Sequence, residues 1–119
     1  MKHVTKQLTF SEEDILDYVN VSGDDNPIHT SADEAKKMGF ETCPVHGMLV
    51  MAKVGSYASE ITGKKCWTNS FTVRFQTPVY VQRQYELKMV RTEEQDHHLT
   101  LCSLDGSIVL KGKITLTEQ

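Results

Sequence analysis

The sequence predicts an α+β domain in which an antiparallel sheet curls round one buried helix. Two observations carry this. From Val45 to about Ser59 the apolar residues Met48, Leu49, Val50, Met51, Ala52, Val54 and Ala58 occupy nearly the whole circumference of a helix, and such a helix has to be covered by other structure. From Cys66 onward the chain reads as strands separated by turn signals, and a buried helix followed by strands is the α+β pattern.

The elements follow in order. His3 to Phe10 reads as a first strand. Ser11-Glu12-Glu13-Asp14 opens a helix, with a hydroxyl to cap it and acids at the positive end of its dipole. Ile15, Tyr18 and Val19 give it one apolar face, and it should stop near Ser22-Gly23. Gly23 to Thr30 reads as loop, because Pro27 pushes Asn26 out of helical geometry. Ser31-Ala32-Asp33-Glu34 starts a short second helix that ends at Gly39, and Phe40 to Pro44 is a loop into the apolar helix. Cys66 to Gln76 alternates, with Trp67, Asn69, Phe71, Val73 and Phe75 on one face. Tyr85 to Arg91 and His98 to Leu104 are further strands, and Asp105-Gly106 marks a hairpin. Ser107 to Thr117 closes the chain, with Leu110, Ile114 and Leu116 only partly in step. His97 and His98 are expected to be exposed hairpin residues, and Met48 and Met51 to be core.

Composition narrows the function. The 119 residues hold one domain, 1–119, with no linker or repeat. A net charge of −3 offers no general attraction to nucleic acid or anionic lipid, and no basic recognition helix is present. The run from Val45 to Ala58 is too short to span a bilayer, and the N-terminus lacks the apolar stretch of a signal peptide. Cys43, Cys66 and Cys102 are odd in number and widely spaced, which suggests reduced thiols and a cytoplasmic location. Cys43 reads as a small buried thiol rather than a nucleophile, since no motif places a base beside it.

The chemistry concentrates in Gly23-Asp24-Asp25-Asn26-Pro27-Ile28-His29 and in Pro44-Val45-His46-Gly47-Met48. Asp24 and His29 share a loop stiffened by Pro27, so both side chains can be turned toward one point. Two such groups can hold a water and manage proton transfer in both directions. Asn26 suits side-chain-to-backbone bonds that brace the loop. The N-terminus of the apolar helix offers free N–H groups, and Gly47 lets a ligand approach them closely. His46 could orient the loop, orient a substrate, or satisfy a buried polar group. Asp24, His29 and His46 lack the helical spacing of metal motifs, so no metal is expected. Lys64-Lys65 could meet carrier phosphates, but solvated loop lysines explain them more simply.

These two motifs, in this order, resemble those of the MaoC-like dehydratases and (R)-specific enoyl-CoA hydratases. The signature of that family is an Asp-x-Asn-Pro-x-His loop and a His-Gly-Met entry into the central helix. Phe75-x-x-Pro78-Val79 resembles a further family strand end. The resemblance implies a hot-dog fold and reversible hydration of an enoyl thioester. It makes Asp24 and His29 the catalytic pair, and places an oxyanion and substrate-binding role on Gly47, His46 and Asn26. It implies no cofactor, since the acyl group rides on coenzyme A or acyl carrier protein. It also implies a homodimer with substrate along the subunit boundary. Two features depart from the pattern: Gln82-Arg83-Gln84 stands where many relatives carry a Gly-Asp turn, and Gly55 stands where some hydratases carry a serine. The rival functions are a hot-dog thioesterase, which often needs an acid on the central helix, and a non-catalytic acyl-thioester-binding module. From Val45 through Ser59 there is no Asp or Glu.

Overall fold

A computed structural model describes residues 3–62 and 65–118, so Lys64 lies outside the described residues. The first strand, β1 (His3–Thr9), leads into α1 (Glu12–Ser22). Ser11 and Asp14 form a capping box: the Ser11 hydroxyl accepts from the Asp14 N–H, and the Asp14 carboxylate accepts from the Ser11 N–H. The helix stops at Gly23, whose φ of 77° a side chain would strain. A short 3-10 turn (Pro27–His29) and α2 (Ala32–Lys37) follow, the latter capped by Ser31. The long helix α3 (Gly47–Thr62) begins two residues later than the sequence suggests and runs further.

The remaining strands are β2 (Cys66–Phe75), β3 (Gln84–Arg91), β4 (Asp96–Ser103) and β5 (Ile108–Glu118). They join β1 in a five-stranded sheet of order β1-β3-β4-β5-β2, with every neighbouring pair antiparallel. Helix α3 lies across one face of it. Val50, Val54 and Ala58, one turn apart, are fully buried with Leu87, Leu101, Leu110 and Ile114 of the sheet. Lys53 tethers the helix to its surroundings: its ammonium donates to the Thr9 carbonyl at 2.7 Å, pairs with Asp14 at 3.4 Å and sits over the Phe10 ring.

Several expectations fail, each for a physical reason. Helix α3 is covered on one side only, so Met48 is 64% exposed rather than core, and Ala52 and Ser56 are exposed on the same stripe. Trp67 does not share the inward face with Phe71. The β2–β5 register shifts between Thr68 and Ser70, so Asn69 is an extra residue that turns Trp67 outward, 63% exposed. The same device explains the imperfect alternation of β5, where the pairing slips across Val109 and buries both Val109 and Leu110. Finally, β4 begins earlier than expected, because the Thr92 N–H donates to the Asp96 carbonyl and tightens the preceding turn. His97 therefore alternates inward with Leu99 and Leu101, while His98 stays exposed. Burial pushes the His97 imidazole below its usual value.

Tightness at Gly112 gives a test of this packing. A Cβ there would stand 2.9 Å from the Thr72 backbone carbonyl, which cannot move aside without breaking the β2–β5 ladder. Gly112→Ala should lose about 1–3 kcal/mol of stability, the usual cost of overpacking. A urea midpoint unchanged by the substitution would contradict this account.

Candidate active site

The site forms where two loops are tied together. The backbone around Pro44 is pinned from both sides: the Val45 N–H donates to the Val79 carbonyl at 2.7 Å, and the Val81 N–H donates to the Cys43 carbonyl at 3.2 Å. Pro44 has no N–H of its own, and its carbonyl accepts from His29 Nδ1 at 2.7 Å. A carbonyl can only accept, so Nδ1 carries the proton and the neutral ring keeps a lone pair on Nε2. His29 is thereby held in one orientation, half-buried, at the end of the Pro27 turn.

Asn26 holds that turn. Its Oδ1 accepts from the Ile28 N–H at 3.2 Å, which makes it the cap of the Pro27–His29 turn. Its exposed side chain thus braces the loop, the reading its residue type suggests. Asp24 is also exposed; its Oδ1 accepts weakly from the Asn26 N–H at 3.4 Å. His46 is 3% exposed and stacks on His29, with ring centroids 3.5 Å apart and planes 23° from parallel. Its Nε2 donates to the Asp24 backbone carbonyl at 3.1 Å and lies 3.9 Å from the Asp24 carboxylate. Polar atoms of Asp24, His29 and His46 all lie within 4.8 Å of one another.

A cavity of about 430 Å³ opens beside this cluster. His29, Gly47, Phe75 and Val79 are among its lining residues, whereas Asp24, Asn26 and His46 are not. The first intrahelical bond of α3 runs from Val50 N–H to the His46 carbonyl, so the N–H groups of the preceding turn have no partner within the helix. Gly47 itself is exposed, and a Cβ there would meet the Phe75 ring at an ordinary 3.7 Å. Packing alone does not call for a glycine.

The same three side chains are the ones that could hold a cation. A metal needs lone pairs that converge on one point at about 2 Å. His29 and His46 are stacked with planes 23° from parallel, so in-plane lone pairs on the two rings run alongside each other rather than toward one point. Shared hydrogen bonding fits this geometry better than chelation. Burial, with the Glu12 carboxylate adding to it, pushes the Cys43 thiol up, which disfavours the thiolate a nucleophile would need.

Comparison with known proteins points to one family. The model of the MaoC like domain matches residues 1–110. The chain belongs to the MaoC-like domain family. Its curated relatives include a mitochondrial 3-hydroxyacyl-[acyl-carrier-protein] dehydratase of Arabidopsis thaliana, 39% identical over 72 residues. That match covers 60% of this chain and 43% of the plant protein, so the chain spans less than half the length of that relative. An (R)-specific enoyl-CoA hydratase of Rhodospirillum rubrum is 25% identical over 114 residues, covering 91% of this chain and 79% of the other. Among solved structures, an (R)-hydratase from A. caviae superposes with a TM-score of 0.83 at 19% identity, over 99% of this chain and 95% of that one. An R-hydratase from Pseudomonas aeruginosa gives 0.85 at 21% identity, over 98% and 79%. At such identities these two likenesses speak for the fold alone, and the fold is the hot-dog arrangement.

The departures of this MaoC-like domain have local explanations. Gln82, where many relatives carry a Gly-Asp turn, adopts a left-handed φ of 64° and donates its N–H to the Phe10 carbonyl at 2.7 Å. Arg83 stacks over Tyr80 and pairs with Glu41 at 2.8 Å. The chain thus makes this turn with a non-glycine residue at positive φ, beside an exposed ion pair. At Gly55 a Cβ would stand 3.3 Å from the Phe71 ring, so the aromatic side chain takes up the room a serine would need.

Proposed function

We propose that the chain is an acyl-thioester hydratase/dehydratase, a hydro-lyase that reversibly adds water to a trans-2-enoyl thioester to give the (R)-3-hydroxyacyl thioester. The observation that carries this reading is the pairing of His29, whose Nδ1 is anchored on Pro44, with the Asp24 carboxylate within 4.8 Å. Hydrogen bonds of about 2.8 Å allow one water to bridge such a gap. The pair removes a proton from that water as its oxygen bonds to C3 of the enoyl group, and a proton passes to C2. Dehydration is the reverse. The relatives support this class of chemistry through their own descriptions, a dehydratase and a hydratase.

Negative charge gathers on the thioester carbonyl as water adds. N–H groups at the start of α3 offer it donors and the positive end of a helix dipole. Gly47, which lines the cavity with His29, is the residue we assign to that oxyanion hole. No cofactor is required; the acyl group is carried on coenzyme A or on acyl carrier protein. The free thiols suit a reducing, cytoplasmic compartment. No helix of the described residues is long and apolar enough to cross a membrane. A thioesterase reading is weaker, since Glu60, the acid nearest the end of α3, is exposed and paired with Lys6 at 2.6 Å.

The working unit is a homodimer. Strand β2 is a sheet edge with unpaired backbone groups, and edges of this kind need cover. It also supplies Phe75 to the cavity wall and leaves that ring 39% exposed. Twofold pairing along β2 would close the edge, cover the Met48 stripe of α3 and complete the cavity with residues of the second copy.

These statements can be tested directly. Followed by enoyl-thioester absorbance, Asp24→Asn and His29→Ala should each slow hydration at least about a hundredfold, and chiral chromatography of the wild-type product should show the (R) enantiomer. Near-normal rates in both variants, or free thiol released without hydration, would overturn the assignment. Gly47→Ala should leave the urea midpoint unchanged or raise it, since alanine favours helix by up to about 1 kcal/mol over glycine, while lowering kcat about tenfold or more. An unaffected rate would remove Gly47 from the oxyanion hole. Sedimentation should give twice the 13.5 kDa chain mass or a multiple of that; a fully active monomer would refute the dimer.

A further inference from the structure

His46 is a buried polar residue at the centre of the site, yet it is not among the residues lining the cavity. Its Nε2–H is committed to the Asp24 carbonyl, and its Nδ1 is buried with no hydrogen-bond partner among the described residues. It is therefore badly placed to exchange protons with a substrate. An orphaned buried acceptor is also unfavourable, because the group has lost its water without gaining a partner. If His46 were there only to fill space, an apolar side chain would serve better. Retaining the imidazole points to a task that needs both a flat ring and an N–H donor.

The contacts name that task. One ring contact is the stack on His29, at 3.5 Å between centroids. Another is Tyr18 of α1, at 4.7 Å and tilted by 53°. The N–H reaches the backbone of Asp24, whose side chain is 54% exposed and, among the described residues, otherwise bonded within its own loop. We propose that His46 is a positioning residue for the hydration reaction: it clamps the His29 ring by stacking and the Asp24 backbone by hydrogen bonding, so that the two groups sharing a water stay at a fixed separation. This rests on the acid–base reading of Asp24 and His29 given above. The titratable groups that face His46 are the Asp24 carboxylate, the His29 imidazole and the Tyr18 phenol.

Two variants separate the halves of the clamp. His46→Gln keeps an amide N–H near the position of Nε2 but loses the ring; His46→Phe keeps a flat ring but loses the donor. Each should lower kcat about tenfold or more, because small misplacements of reacting groups are costly, and change KM less than about threefold. In a His29→Ala background either change should cost less than about twofold further, since groups acting as a unit are non-additive. Wild-type-like kcat in both variants would overturn the proposal. So would losses that multiply in full in the His29→Ala background, or that track the unfolded fraction measured by urea titration. Should His46→Phe fail to fold, the His46→Gln cycle decides alone. Failure of the underlying reading looks different: His29→Ala itself would then retain the wild-type rate.

Discussion

The hydrogen bond from His29 Nδ1 to the Pro44 carbonyl, 2.7 Å long and spanning 15 residues of sequence, is the interaction on which the site depends. It joins the Asp24–His29 loop to the entrance of α3, and it selects the ring tautomer that leaves Nε2 available. Its acceptor is fixed because the backbone on both sides of Pro44 is bonded to the segment from Val79 to Val81. That segment is fixed in turn by the Tyr80 N–H, which donates to the buried Tyr85 hydroxyl at 2.8 Å. Burial pushes the Tyr85 phenol up, against the opposing effect of this hydrogen bond. The sheet thus reaches the site through the buried Tyr85 side chain and a short series of hydrogen bonds to the backbone of the two loops.

Much of this fold was legible because its signals are local. The Ser11–Asp14 capping box, the Gly23 stop and the Asp105-Gly106 hairpin are each set by a few neighbouring residues. In that hairpin the Asp105 carboxylate accepts from the Ser103 hydroxyl and the Ser107 N–H, which holds it down to about 2. What escaped the sequence depends on distant partners. A bulge at Asn69 reverses the face of Trp67, and another at Val109 brings two neighbours inward, because pairing register is decided by the opposite strand. Apolar residues all round α3 do say that the helix needs cover, but not that this chain supplies it on one side only.

At the site, the sequence singled out candidate residues and left their relations open. Asp24, His29 and His46 gather within 4.8 Å, Asn26 caps the turn that carries His29, and Gly47 lines the cavity with His29. Asn26 proved a brace, because an Asn before Pro caps the turn that follows; that role is a local one and was readable. The place of His46 was not readable. Its stacking on His29 and its bond to Asp24 arise only when α1, the Pro27 turn and α3 converge, and no spacing along the chain encodes that.

Three glycines show how structure separates packing from chemistry where composition cannot. Gly112 faces a backbone carbonyl 2.9 Å from where a Cβ would lie, so its absence of a side chain is dictated by the sheet. Gly55 is intermediate: the obstacle is the Phe71 ring at 3.3 Å, which would have to give by a few tenths of an ångström. At Gly47 the nearest atom is 3.7 Å away, and alanine would improve helix propensity. The protein fold gives no reason for glycine there, at the mouth of a cavity shared with His29. The oxyanion-hole role proposed for Gly47 would supply one. A ligand whose polar atom has to reach a backbone N–H at the first turn of α3 is a sufficient one.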